Sequence, residues 1–410
     1  MKFSSGVSDA AALQDAAADA AAQAAASLGS DPCHAAFLFA APSHRARWAE
    51  ALARVHDTLR PSVVIGCGSS GVVGGEHEFE SGPALSLLGA HLPGVKLHPF
   101  AVHPEEMELA SPGGFWVDKV GVLPSQHPAF VLLVDPFTCD PTRLLSELSG
   151  TYPGSPVIGG LVSGGRRDGD HLLCYQRELL QAGAVGIALT GDVALETLVS
   201  TSCRPIGHPL IVTKAEENVV WELGGQPAVE MLRRTLMGLA PSDQELAQRS
   251  IMVGVVINEM KSAFSAGDFL VRPLVGIDPP SGALALSDAA VVGQTVQFHL
   301  QDPQASRQEL RRLLAQQSAQ AQETPPAGAL LFACTGRGKA FYGLPHQDTK
   351  AIRAFSGKLP VGGCFCNGEI GPVGRANFIH GYTASVGFFR PLTSVRARSD
   401  ARPAAQPVGQ

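Results

Sequence analysis

Val63-Val64-Ile65-Gly66-Cys67-Gly68-Ser69-Ser70-Gly71 runs from three branched apolar residues straight into glycine. Such a run reads as a strand buried on both faces that ends in a tight turn, because β-branched side chains favour extended backbone and glycine tolerates the angles a sharp turn needs. Working outward, the passage recurs twice, as Pro156-Val157-Ile158-Gly159-Gly160-Leu161-Val162-Ser163-Gly164-Gly165 and as Pro360-Val361-Gly362-Gly363-Cys364-Phe365-Cys366-Asn367-Gly368-Glu369. Each is preceded by an earlier apolar strand and a helical pattern: strand 36–39 with a helix over 43–59, strand 131–134 with a helix near 141–149, and strand 330–332 with a helix over 347–357. The distance from strand to turn glycine is 29 residues from Phe37 to Gly66, 27 from Leu132 to Gly159 and 31 from Leu331 to Gly362, a spacing that reads as internal repetition.

Every turn is followed by a further apolar segment, at 84–88, 184–189 and 383–389. The unit is therefore strand, helix, strand, turn, strand, in which the helical crossover predicts a parallel pair and the last segment pairs antiparallel. Between the second and third copies lies a different stretch, with helices near 226–238 and 242–249 and strands near 251–257, 268–277, 283–287 and 294–300. A helix over 303–318, capped by Asp302, leads into the third copy. The fold class is α/β, mixed α/β layers from the repeated units with an inserted α+β segment. Residues 8–28 form an Ala-rich helix with Ser8 or Asp9 as N-cap and Gly29 as its stop, and the first strand is expected after Pro32. The expected organisation is an N-terminal helix over 1–29, domains over 30–222 and 223–390, and a disordered tail over 391–410.

Composition narrows the function classes. The chain has 410 residues, 45% hydrophobic and 17% charged, with 45 Gly, 30 Pro and a net charge of −6. That is an apolar, turn-rich chain, long enough for two or three domains and too hydrophobic for disorder throughout. No basic stripe is visible, so nucleic acid is not an expected partner. No apolar run reaches the roughly 18 residues of a membrane helix, and no signal peptide is expected. The eight cysteines are irregularly spaced in apolar or Gly-rich surroundings, which suits a reducing compartment, and a cytoplasmic location is expected.

At the glycine turns the sequence resembles the FIST family, whose two-part module is named for F-box and intracellular signal transduction proteins. The N-terminal half is carried by residues 64–75, by Gly82-Pro83-Ala84-Leu85-Ser86-Leu87 and by Ile158-Gly159-Gly160. The C-terminal half is carried by Gly267-Asp268-Phe269-Leu270-Val271-Arg272, by 293–299, and above all by Cys364-Phe365-Cys366-Asn367-Gly368-Glu369-Ile370-Gly371-Pro372 with Asn377, His380 and Thr383. The resemblance implies a small-ligand sensory module, often proposed to bind amino acids, that accompanies kinase, cyclase or chemotaxis output domains in bacteria and an F-box in eukaryotes. No output segment is recognised within this chain, so a signal is expected to leave through a protein partner in trans.

Gly66-Cys67-Gly68-Ser69-Ser70-Gly71 also satisfies G-x-G-x-x-G after a strand, but Val72-Val73-Gly74-Gly75 is a poor helix start and no acidic residue closes a second strand about 20 residues on. A dinucleotide site is not expected, nor any other cofactor. The turn reads as tight backbone geometry or as exposed N–H groups for a ligand carboxylate, with Cys67, Ser69 and Ser70 as candidate ligand-binding residues. Cys364 and Cys366, two apart on a strand, face the same side and read as small buried hydrophobes or as thiols near a ligand; no metal site is expected. Asn367, Glu369, Arg375, Asn377 and His380 concentrate polar groups in a Gly-rich, apolar stretch, the composition of a pocket rim. Glu369 could pair an amino group and Arg375 a carboxylate in a two-point grip, oriented by Asn367 or Asn377; capping at Glu369 and a satisfied buried imidazole at His380 are the plain alternatives. Glu76 and His77 are expected to meet the third turn across a cleft, and Asp268 and Arg272 to share a face and pair. The leading expectation is a small polar metabolite as ligand, with an enzyme using a Cys/His/Glu site and a protein-interaction adaptor as alternatives.

Overall fold

The computed structural model describes residues 1–42, 47–109, 114–320 and 325–392. In chain order, β1 (Lys2–Ser8) and α1 (Leu13–Leu28) precede the first unit, which comprises β2 (Ala35–Ala40), α2 (Trp48–Leu59), β3 (Val63–Gly68), a hairpin of β4 (Val72–Gly74) and β5 (His77–Phe79), and β6 (Leu85–His91). β7 (Val95–Val102), α3 (Pro104–Leu109) and α4 (Gly114–Val120) follow. The second unit is β8 (Ala129–Val134), α5 (Pro141–Thr151), β9 (Val157–Leu161), the hairpin β10 (Leu173–Tyr175) and β11 (Glu178–Leu180), and β12 (Ala184–Gly191), with β13 (Ala194–Thr201) after it. The insertion holds β14 (Cys203–Glu216), β15 (Val219–Leu223), β16 (Gln226–Pro227), α6 (Ala228–Met237), α7 (Pro241–Arg249), β17 (Ile251–Val256), β18 (Phe269–Asp278), β19 (Ala283–Leu286), β20 (Thr295–Gln301) and α8 (Pro303–Gln320). The third unit is β21 (Gly328–Cys334), α9 (Lys339–Tyr342), α10 (Gln347–Ser356), β22 (Val361–Cys366), the hairpin β23 (Glu369–Val373) and β24 (Ala376–His380), and β25 (Thr383–Arg390).

Three six-stranded sheets share one order. They are β1-β6-β2-β3-β10-β11, β7-β12-β8-β9-β23-β24 and β13-β25-β21-β22-β4-β5. In each, the two strands joined by a helical crossover are parallel and the last strand of the unit is antiparallel to the first, as the unit pattern predicts. The hairpin after each glycine turn was not legible, and it does not stay with its own unit: the first unit's hairpin joins the third sheet, the second unit's the first, and the third unit's the second. The outermost strand of each sheet likewise comes from the preceding stretch of chain. β1 fills that place in the first sheet, so the first strand lies ahead of the Ala-rich helix and not after Pro32.

The correspondence of the three units is fixed by close approach. A Cβ on Gly66, Gly159 or Gly363 would stand 1.9, 1.7 and 1.9 Å from the carbonyl oxygens of Leu38, Leu132 and Leu331 on the neighbouring parallel strand, so only glycine fits. The third equivalent is therefore Gly363, one residue beyond the Gly362 to which the strand-to-turn spacing is measured.

Side chains of the three sheets alternate between two kinds of core. Phe37, Phe39, Val131, Leu133, Leu330, Phe332 and Phe389 point inward to a core common to all three sheets. Their neighbours point outward: Leu38 to α1 and α2, Leu132 to α4 and α5, and Leu331 to α8 and α10. Strands buried on both faces explain the unbroken apolar runs. The alanines of α1 allow it to sit close on the first sheet, where a Cβ on Gly6 would be 1.9 Å from the Ala20 carbonyl oxygen. Its N-cap is Ala12 without a side-chain cap; Ser8 lies in β1 with its hydroxyl 3.1 Å from Asp19, while Gly29 does end the helix at φ 67°.

The insertion reads as α+β and is more than that: β14, β20, β17, β18, β19 and β15 pair in sequence, and the long β14 pairs back with β15, closing a small barrel over its own apolar core. No helix among the described residues is long and apolar enough to cross a membrane. The expected helix over 43–59 is seen from Trp48, with 43–46 outside the described residues, as is the expected tail from 393 on.

Candidate functional site

The three glycine turns converge where the hairpins cross from one sheet to the next. Phe365 N–H donates to Gly71 O, Leu161 N–H to Gly368 O and Gly68 N–H to Leu172 O, at 2.9, 2.8 and 2.9 Å, so each hairpin is pinned to its host strand at an equivalent point. At this junction the Ser69 and Ser163 hydroxyls both lie 2.6 Å from the Phe365 carbonyl oxygen, and Ser163 Oγ accepts the Ser70 N–H at 2.9 Å. These hydroxyls knit the units together. The turn after Gly71 continues as β4, not as the helix that the G-x-G-x-x-G fingerprint requires.

Cys67, Cys364 and Cys366 meet in the common core, the last two with sulfurs 3.8 Å apart on one side of β22. Gly160 makes room for them, since a Cβ there would lie 2.2 Å from Cys366 Sγ. Hydrogen bonding to Cys364 and burial push the Cys67 and Cys366 thiols well up. Burial opposes ionisation of Cys364 too, but hydrogen bonds from Cys366, Cys67 and Ser69 outweigh it and draw that thiol down. All three are sealed from solvent and pack as small apolar residues.

Below the third turn opens a cleft of about 610 Å³. Its walls come from the start of α5 (Pro141, Thr142), the end of β9 (Leu161), the barrel strand β18 (Val271, Arg272), the segment Cys334-Thr335-Gly336 after β21, the turn residues Asn367 and Gly368, and Ile379 to Tyr382 after the third hairpin. Asn367 is exposed in it, its Oδ1 accepting a long 3.4 Å bond from the Thr335 hydroxyl. Arg272 pairs with Asp288 at the wall and donates to the Ile379 carbonyl at 3.3 Å. The expected Asp268–Arg272 pair is not formed, because Asp268 turns to Lys261 and Ser265 at the start of β18.

Glu369 lies fully buried. Its Oε2 accepts the Thr383 N–H at 3.1 Å and the Thr383 hydroxyl at 2.8 Å, while Oε1 has no hydrogen-bond partner among the described residues. Burial pushes its carboxyl up to about 8 against those two bonds, so the group is held as the neutral acid. The nearby Cys334 thiol is raised to about 12 by burial and then by Glu369. His380 lines the cleft with its Nε2–H donating to Gly371 O at 3.0 Å, and burial lowers it to about 4, so it is neutral.

The polar cluster of the third turn therefore divides. Asn367 and His380 face the cleft. Glu369 is turned into the protein, and Asn377 ties the hairpin to the second unit, accepting from Val157 N–H at 2.9 Å and donating to Ser149 and Ser155. Arg375 sits at the far hairpin turn, beside Gly154. The expected two-point grip of Glu369 and Arg375 is not assembled, because strand alternation and the hairpin's length carry the two side chains to different places. Glu76 and His77 do reach the third unit, at its helix and not its turn: Glu76 pairs with Arg353, and the His77 and His346 rings meet edge to face with centroids 5.4 Å apart.

Sequence reasoning missed several groups. Tyr382, Thr335 and Asp288 lie outside the glycine turns that guided it. Asp135 and His171 form a buried pair at 2.7 Å beside a second, smaller cleft of about 280 Å³ lined by Ser69, Ser163 and His171. The His171 Nε2 accepts the Gly165 N–H, so Nδ1–H faces Asp135, whose carboxyl is held below its usual range: burial works against this, and His171, Phe137 N–H and the Thr138 hydroxyl outweigh it. Asp135, just past β8, stands where the third unit has Cys334, the last residue of β21, and only that equivalence would have singled it out.

Residues 34–226 match the FIST N domain and residues 228–372 the FIST C domain. Among curated proteins, the chain is 38% identical over 390 residues to the uncharacterized protein Rv0628c of Mycobacterium tuberculosis, covering 95% of this chain and 100% of that one. It is 34% identical over 390 residues to the uncharacterized protein Mb0898c of Mycobacterium bovis, covering 95% and 99%.

Proposed function

The chain belongs to the FIST family, whose domains are small-ligand sensory domains of signalling proteins, and on that premise we propose that it binds a small polar metabolite in the 610 Å³ cleft and signals by associating with a protein partner. The observation that carries this reading is where the cleft lies. Its walls join the first matched domain, through Thr142 and Leu161, to the second, through Arg272 and Asn367. A ligand there touches the barrel and the three-sheet body at once, and its volume falls in the range of about 300–1,000 Å³ that buries small organic molecules. Occupancy would thus bias how the barrel seats on the body, a differential contact of the kind any ligand-driven change requires. A cytoplasmic setting is part of the proposal, since the eight cysteines are all unpaired and buried.

The test is a thermal-shift screen of the purified chain against metabolite classes, repeated with Asn367→Ala. A ligand at about 100 times its Kd stabilises by about 2.7 kcal/mol, readily seen in a melting curve. A shift that weakens in Asn367→Ala supports the reading, and a shift unchanged by it places the ligand elsewhere. The adaptor alternative draws on one observation, the apolar groove of about 450 Å³ between α6 and α7, where Met237 is 75% exposed. A flat response across the screen favours it.

A further inference from the structure

One side chain in the cleft is held in a way that packing alone does not require. Tyr382 has a left-handed backbone at φ 59°, a conformation that costs a bulky residue free energy and persists only where the surroundings enforce it. They do so here: the Tyr382 carbonyl oxygen accepts both the Ser202 N–H and the Ser202 hydroxyl, each at 2.7 Å. The ring is given its place by Gly336, where a Cβ would stand 3.3 Å from both Cδ1 and Cε1, and it rests on the small cluster of Cys203, Met252 and Val271. Yet the ring is only half-buried on the cleft wall, and its hydroxyl makes no hydrogen bond among the described residues.

The charges of the cleft point the same way. Arg272 and Asp288 are the formal charges among the lining residues, and they pair with each other. His380 is neutral and its Nε2–H is committed to Gly371. What remains for a ligand is uncharged and includes the Tyr382 hydroxyl, the Asn367 amide nitrogen, which has no partner among the described residues, the Thr142 hydroxyl and the acceptor side of the Thr335 hydroxyl. A zwitterion finds no unpaired charge of either sign among the lining side chains.

We infer that the cleft takes an uncharged planar ring with hydrogen-bonding edge groups, of nucleobase or nucleoside size, held by Tyr382 and read by Asn367. The inference rests on the reading of this cleft as the ligand site. It assigns Tyr382 as a specificity-determining residue: the ring supplies aromatic contact and the hydroxyl one edge bond.

The test uses the full chain in calorimetry and thermal shift with adenine, uridine and nicotinamide as planar neutral probes and leucine and glutamate as charged ones. Tyr382→Asn removes the ring with a residue that tolerates the left-handed backbone, so it is expected to fold. Tyr382→Phe removes the hydroxyl alone. The expected result is binding of at least one planar probe, weakened at least tenfold in Tyr382→Asn, by a few fold in Tyr382→Phe and in Asn367→Ala, with no shift from the amino acids. Binding of an amino acid that Asn367→Ala weakens, with the planar probes silent, overturns this inference and leaves the cleft as the sensory site. A planar probe that binds Tyr382→Asn undiminished overturns it as well. Silence from both classes overturns it, and the wider metabolite screen then decides the sensory reading by itself.

Discussion

Glu80 caps a helix that belongs to a different repeat: both oxygens of its carboxylate lie 2.8 Å from the backbone N–H of Lys339, 259 residues further along the chain. Helix α9 begins at Gly338 without a side-chain cap of its own, so the first unit's hairpin supplies one. The alternation Glu76-His77-Glu78-Phe79-Glu80 turns all three glutamates towards α9 and α10. Glu78 accepts from Thr349 N–H at 2.8 Å and from its hydroxyl at 3.0 Å, and Glu76 pairs with Arg353. A strand period of two thus makes one edge of the hairpin into a clamp on the third unit.

Replacing Glu80 by Ala should destabilise the protein by about 1 kcal/mol, the usual loss when a helix N-terminus is left uncapped. Glu80→Gln should lose less, because an amide oxygen still accepts a hydrogen bond. Urea titrations of the three proteins measure both differences, and a Glu80→Ala midpoint equal to wild type would show that the clamp adds nothing to stability.

Glu369 and Glu78 should each work to lower stability as the pH rises from 6.5 to 8. Burial raises the folded-state carboxyl of Glu369 to about 8 and, with Asp348, that of Glu78 to about 7. A raised acid binds its proton more tightly in the folded chain, so its contribution is full at low pH and is lost as the pH climbs through the folded value. Below about 6.5 the trend is opposed by His299 and His380, both lowered by burial to about 4, whose stabilisation grows with pH up to the unfolded imidazole value. In the window from 7 to 8 Glu369 should contribute a fall of up to about 1.4 kcal/mol per pH unit, against a rise from the lowered Cys364 thiol, whose stabilisation grows with pH up to the unfolded thiol value. Glu369→Gln, which keeps an acceptor for Thr383, should remove that fall and shift the slope in the positive direction in denaturation curves at pH 6.5, 7.25 and 8; an unchanged slope would rule out a contribution from this carboxyl.

Gly160→Ala should cost about 1–3 kcal/mol, the range for overpacking a tight core. The added methyl would sit 2.2 Å from Cys366 Sγ and 2.9 Å from its Cβ. Combined with Cys366→Ala, part of the loss should return, and a double-mutant cycle with no coupling would place the clash elsewhere.

Asp348→Ala should cost about 3–5 kcal/mol, because it strands a charge in the interior. Arg337 is 2% exposed, donates to both Asp348 oxygens at 2.8 Å, and reaches the Tyr342 hydroxyl and Ser200 O. Exchanging both partners for apolar residues of similar size should cost much less than removing Asp348 alone, as thermal melts of the single and double variants would show.

The repeat was legible because its signals are local. An apolar run ending in glycine, as at Ile65-Gly66 or Ile158-Gly159, records a strand buried on both faces and a backbone approach that no Cβ survives. The helices 141–151 and 303–320 were legible for the same reason, each preceded by an aspartate whose side chain takes the first free N–H groups. The short hairpins were not, since three-residue strands such as Leu173–Tyr175 carry no periodicity, and β1 was hidden because its Ser-Gly-rich sequence has little strand propensity until an Ala-rich helix covers it.

The candidate site divides along the same line. Composition found Asn367, His380 and Glu369 as a polar cluster, since polar residues among glycines are conspicuous in any sequence. It did not tell that Glu369 turns inward to Thr383 while Asn367 faces the cleft, or that Tyr382 and Arg272, 110 positions apart, line one wall. By itself the sequence determined the repeating unit, the α/β layers and the family, because strand burial, helix capping and glycine turns act between residues near each other in the chain. Only the tertiary structure decided which sheet each hairpin joins and which polar groups meet, because those outcomes depend on strand register across the junction, where one residue of shift exchanges the buried face for the open one.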